Sequence, residues 1–116
     1  MAEIDQRRES LIETTRDLIR IPTLNPPGEN YREICDHLAA RLACNGFSAE
    51  FIRAEGALGD SDRYPRWNVI CRHEGSGGGS GGECVHFNAH TDVVTVGKGW
   101  TRDPFAATIE GDRIYG

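Results

Sequence analysis

A histidine and a carboxylate stand two residues apart at the end of an apolar run, Cys84-Val-His-Phe-Asn-Ala-His90-Thr-Asp92-Val-Val94. The stretch Cys84 to Val94 predicts a short buried strand that ends by delivering His90 and Asp92 where the strand gives way to a turn. In a sheet covered by helices, strand ends open into a crevice where a rigid scaffold holds side chains that still meet a ligand. Neutral imidazole is a good ligand for zinc and similar metals. A carboxylate on its other ring nitrogen fixes the tautomer, aims the lone pair and raises its basicity. The pair therefore suits a metal site, with His90 supplying the bond and Asp92 its orientation. Alone, a His-x-Asp tripeptide is weak evidence, since a strand-end histidine is more often a hydrogen-bonded structural group.

A second constellation competes with it. Cys71 and His73 share a strand face at period two, as do Cys84 and His86, so a hairpin could gather two cysteines and two histidines around zinc. The spacing is not that of a usual zinc finger, and the Gly/Ser-rich linker between the pairs would define the site poorly. Without a Cys-x-x-Cys pair, Cys35, Cys44, Cys71 and Cys84 are expected to be reduced, small, buried residues inside helices and strands.

Length and composition bound the rest. The chain has 116 residues, enough for one small domain or a piece of one. Hydrophobic residues make up 38% and charged residues 27%, as in soluble globular proteins, and no apolar run approaches the ~20 residues of a membrane span. Charges of both signs run through Met1 to Arg20, so that segment fails as a secretion signal and reads as structure; a cytoplasmic location is the expectation. The net charge is −5 and the basic residues are scattered among acids, which leaves no basic stripe for a nucleic acid.

The elements that must position the pair can be read in order. Ile4, Leu11, Ile12, Leu18 and Ile19 fall on one face of a helix that Pro22 stops. The segment from Thr23 to Glu29 cannot continue a helix; it is a connector that could also reach an active site. Asn30 offers a cap with Glu33 three residues on, and Ile34, Leu38 and Leu42 make the stripe of a second helix, Tyr31 to Cys44, ended by Gly46 in the left-handed conformation. Strands are predicted over 47–53 and 67–73, separated by a surface loop over 54–66. The glycine-serine stretch 75–82 is expected to be the flexible tip of an antiparallel hairpin that joins the second strand to Cys84–His90. Thr108 to Tyr115 reads as a tight hairpin around Gly111-Asp112.

The succession Ala89-His90-Thr91-Asp92-Val93-Val94, Gly99-Trp100, Asp103-Pro104-Phe105 and Ile114-Tyr115-Gly116 resembles metallopeptidase family M20. That family groups acetylornithine deacetylase, succinyl-diaminopimelate desuccinylase, aminoacylase, carnosinase and glutamate carboxypeptidase. The two N-terminal helices and Trp67-Asn68-Val69-Ile70 fit its opening, so the resemblance covers essentially the whole chain. Two departures are Thr95, where family members often have proline, and a glycine-serine linker longer than the usual turn.

The resemblance implies an α/β fold, two N-terminal helices packed on a mixed sheet, forming the N-terminal part (1–116) of a zinc-peptidase catalytic domain. It implies that His90 binds one of two divalent ions, zinc or else cobalt or manganese, that Asp92 orients it, and that a water held by the metals attacks an amide carbonyl with a glutamate as base. The bridging aspartate, the base, the other carboxylate ligands and a distant histidine would lie beyond Gly116. The expected activity is hydrolysis of an N-acyl amino acid or similar amide. Hydrolytic deamination of an aromatic amine by the same site, or a non-catalytic binding or assembly module, are the alternatives. Expected partners are a small-molecule substrate, the remaining segment of the same enzyme in the same or a separate chain, and a second copy in a homodimer. Thiol titration under denaturing conditions without reductant is expected to find four free groups; two missing thiols would indicate a cross-strand disulfide between Cys71 and Cys84.

Overall fold

A computed structural model describes residues 2–75 and 83–116. The expected flexible tip at 75–82 therefore lies, but for Gly75, outside the described residues.

The chain opens with α1 (Ala2–Gln6) and α2 (Arg8–Ile19), followed by α3 (Tyr31–Cys44). The single first helix expected from periodicity is thus broken. Arg7 sits between its two parts at φ −96° and ψ 6°. Ile4 remains 63% exposed, so little apolar burial holds the first turn in line with the second. α3 has the bounds that its apolar stripe and glycine stop predicted, and Gly46 takes a left-handed φ of 80°. Its expected N-terminal cap does not form. Asn30 is itself left-handed (φ 57°), and its amide donates to the Pro22 carbonyl at 2.9 Å, closing the preceding loop instead of the helix.

Two antiparallel ribbons follow. β1 (Ala49–Arg53) pairs with β2 (Trp67–Cys71) in a register that sets Phe51 opposite Val69 and Arg53 opposite Trp67. Alternation puts Ala49, Phe51, Trp67 and Val69 on the half-buried face, against which α3 packs. The Arg32 guanidinium of α3 lies 4.5 Å from the Phe51 ring centroid and 5.0 Å from that of Trp67, while Ile34 and Cys35 are buried behind it. β3 (Thr108–Glu110) and β4 (Arg113–Tyr115) form the tight hairpin, with Gly111 at φ 61°. Arg16 of α2 donates to the carbonyl of fully buried Ala107 at 3.1 Å and ties that hairpin to the helix.

The architecture is of mixed α/β character, but three expectations fail. No mixed sheet forms among the described residues: both sheets are two-stranded and antiparallel. The stretch from Cys84 to His90 forms no strand and is exposed throughout, with Val85 at 75% and Phe87 at 89%. A strand needs ladder partners and covered faces, and the described residues supply neither to this stretch. The cysteines are all free, as expected, yet only Cys35 is buried; Cys44 and Cys84 are exposed. Among the described residues no helix is long and apolar enough to cross a membrane.

The 54–66 loop has internal order that composition did not suggest. The Asp60 carboxylate accepts from Arg53 at 3.1 and 3.2 Å, from the Arg66 backbone N–H at 2.9 Å and from that of Gly56 at 3.2 Å. These donors, the Arg53 guanidinium first, lower its pKa from 3.8 to about 2. Because the folded-state value is depressed, this stabilisation is present above the unfolded value and is lost as pH falls through the folded one. The melting temperature of Asp60→Asn is expected to lie below that of the parent at neutral pH. The two should converge between about pH 4 and pH 2. A gap that persists unchanged at pH 2 would assign the loss to packing and not to the charge.

Candidate functional site

Residues 91–93 are held by backbone before any side chain matters. Thr23 to Asn25 runs alongside them as an isolated parallel bridge between Leu24 and Val93. The Val93 N–H donates to the Thr23 carbonyl at 3.0 Å, and the Asn25 N–H to the Val93 carbonyl at 2.8 Å. Thr23 is 1% exposed, and its hydroxyl donates to the Thr91 carbonyl at 2.5 Å. The proline-rich connector therefore does reach the candidate site.

On that frame the structure brings His90 and Asp92 together. His90 Nδ1 lies 3.1 Å from Asp92 Oδ1 and 3.0 Å from the Asp92 carbonyl oxygen. Both neighbours are acceptors, so the ring proton belongs on Nδ1 and the lone pair on Nε2. The imidazole itself is 85% exposed, whereas the Asp92 side chain is only 29% exposed.

The other carboxylate oxygen meets residues that motif reading missed. Asp92 Oδ2 accepts from Asn25 Nδ2 at 2.7 Å and from the Tyr31 hydroxyl at 3.0 Å. Behind them, Arg66 Nη1 donates to Asn25 Oδ1 at 3.1 Å and to the Tyr31 oxygen at 2.8 Å, and Nη2 donates to the Pro27 carbonyl at 3.1 Å. The guanidinium also lies 5.0 Å from the Tyr31 ring centroid. The Asn25 hydrogen bond, with that of Tyr31, holds the Asp92 carboxyl below its usual range against the opposing effect of burial. Burial, then the anionic Asp92, push the Tyr31 hydroxyl up, so it stays protonated and donates. Tyr31 opens α3 and Arg66 immediately precedes β2, which is why both converge on one loop. No motif or periodicity in the sequence singles out Asn25, Tyr31 or Arg66 as members of this network.

The arrangement leaves the Nε2 lone pair on the exposed side of a ring whose Nδ1 is engaged, while Asp92 is committed to its hydrogen bonds. Among the described residues no group of three or more His, Cys, Asp or Glu could hold an ion. The cluster of Cys71, His73, Cys84 and His86 is accordingly not assembled: His73 packs on Phe47 at 5.2 Å between ring centroids, and Cys84 and His86 are exposed.

Comparison with known proteins gives succinyl-diaminopimelate desuccinylases. The chain is 38% identical to that of Gluconobacter oxydans (strain 621H) and 36% to that of Acidiphilium cryptum (strain JF-5), over 87% of its own length and 23% of theirs. It is 31% identical to that of Beijerinckia indica over 93% of its length and 26% of the relative. The resemblance to the M20 family is borne out. The chain spans about a quarter of the length of the curated relatives it matches. No family model matches the chain, and no solved structure matches it significantly.

The bridge makes a prediction of its own. Thr23→Val keeps shape but strips the Thr91 carbonyl of its buried donor. It is expected to cost about 1–3 kcal/mol in denaturant unfolding and to speed amide exchange at Val93. Unchanged exchange at Val93 would mean that the backbone pairing alone fixes residues 91–93.

Proposed function

We propose that the chain is the N-terminal part of the catalytic domain of a metal-dependent hydrolase that cleaves the amide of an N-acyl amino acid. The observation that carries this reading is the His90–Asp92 pair, held with the proton on Nδ1 so that Nε2 is free, in a chain similar to desuccinylases. The relatives' name favours an amide over an aromatic amine, and an N-succinyl amino acid is the first substrate to test.

In this reading His90 holds one of two divalent ions, zinc in the first instance, through Nε2. Such a pair supplies polarisation of the amide carbonyl and an attacking water of lowered pKa. Asp92 is a positioning residue: it fixes the ring's tautomer and plane and strengthens Nε2 as a donor of its lone pair. The remaining segment of the enzyme would supply the rest of the ligand set. A hydrolytic metal takes about three protein ligands plus water, and His90 is one.

In the complete enzyme, His90→Ala is expected to remove one metal and nearly all turnover on an N-succinyl amino acid, with little change in stability. Asp92→Asn leaves the ligand in place and is expected to lower metal affinity or activity by about 10- to 100-fold. Metal analysis and kinetics check the order of severity. A His90→Ala enzyme with two metals and normal turnover would return His90 to a structural role, and a complete protein without turnover or metal would instead be a binding module.

A further inference from the structure

We infer that Arg66 is a positioning residue for His90, acting at a distance through Asn25 and Tyr31 on Asp92; this rests on the proposed metal-ligand role of His90. Arginine has only donors. One Arg66 nitrogen, Nη1, meets both Asn25 Oδ1 and the Tyr31 oxygen, at 3.1 and 2.8 Å. That contact decides two orientations that would otherwise be free. An asparagine amide whose oxygen faces a guanidinium must turn its NH2 the other way, and here the other way is Asp92 Oδ2 at 2.7 Å. A tyrosine oxygen that accepts from a guanidinium must aim its own proton elsewhere, and its remaining neighbour is the same Oδ2 at 3.0 Å. Both donors therefore converge on one carboxylate oxygen and leave Oδ1 to the imidazole at 3.1 Å.

The guanidinium is itself placed with little freedom. A methyl group at Gly28 would come within 2.5 Å of Nη1, and one at Gly59 would collide with Nη2, so two glycines make the slot it occupies. Nη2 is fixed by the Pro27 carbonyl at 3.1 Å, and the Arg66 backbone is fixed by Asp60 at 2.9 Å. Nε is buried, with no hydrogen-bond partner among the described residues.

The test is zinc affinity of the complete enzyme, measured by chelator competition, together with the melting temperature of the metal-free protein. Tyr31→Phe removes one hydroxyl and keeps the ring beneath the guanidinium. It is expected to weaken zinc binding by about 10- to 100-fold in a protein that still unfolds cooperatively without metal, and Arg66→Met to weaken it at least as much. Because both act through Asp92, neither should weaken zinc binding by more than about twofold on an Asp92→Asn background. Tyr31→Phe carries the test if Arg66→Met does not fold. Full zinc affinity in Tyr31→Phe, or losses that simply add to that of Asp92→Asn, would overturn the inference while a zinc-deficient His90→Ala left the metal-ligand reading standing. Unchanged zinc in His90→Ala would overturn both.

Discussion

The Asp92 carboxylate is the point on which the candidate site depends. A carboxylate is acceptor-only, and once partly buried it must find donors for both oxygens or lose its charge. Here the donors come from different parts of the chain. Asn25 stands in the proline-rich connector, Tyr31 begins α3, and His90 ends the exposed apolar stretch. The three are brought together across sequence separations of 67, 61 and 2 residues. A carboxylate met by neutral donors and an imidazole keeps its ionised form without a direct cation. The positive charge of Arg66 is held one group further back.

That separation explains the order of the surrounding loops. Arg66 can stand behind Asn25 and Tyr31 only if the 54–66 loop is itself fixed, and Asp60 does this by accepting from Arg53 at the end of β1 and from the Arg66 backbone just before β2. A continuous series of charge-assisted and neutral hydrogen bonds thus runs from Arg53 through Asp60, Arg66, Tyr31 and Asn25 to Asp92 and His90. Most of its members are partly exposed. It derives its geometry less from apolar burial than from the fixed backbone at both ends, the β1–β2 ladder and the Leu24–Val93 bridge.

What could be read from sequence follows from the range of the interactions concerned. α3, the Gly46 stop, the faces of β1 and β2 and the Gly111 hairpin are set by neighbours within a few residues, and periodicity or a single glycine carries them. His90 and Asp92 were legible because two residues apart suffices to place them together. Asn25, Tyr31 and Arg66 were not, because their partners lie tens of residues away and nothing in their local pattern distinguishes them from ordinary polar residues. Asn30 shows the converse: its local signature is that of a cap, and a longer-range acceptor, the Pro22 carbonyl, wins its side chain. The 84–90 stretch fails for a related reason. Its apolar alternation records how well it would pack, whereas strand formation depends on ladder partners that the described residues do not provide.

The difference in exposure between His90 and Asp92 follows from the same division. In the proposed site a ligating atom must be reachable, which the exposed His90 ring satisfies, while the group that orients it works best where water competes least for its hydrogen bonds. Orientation needs only donors of modest number at fixed places, and a connector, a helix start and a loop end are enough to supply them. Ligation needs several lone pairs converging on one point, and no group of three or more His, Cys, Asp or Glu converges in that way among the described residues. The two requirements can therefore be met by different parts of a protein. This chain holds the proposed orienting part already assembled, with the Asp92 oxygens met by Asn25, Tyr31 and His90.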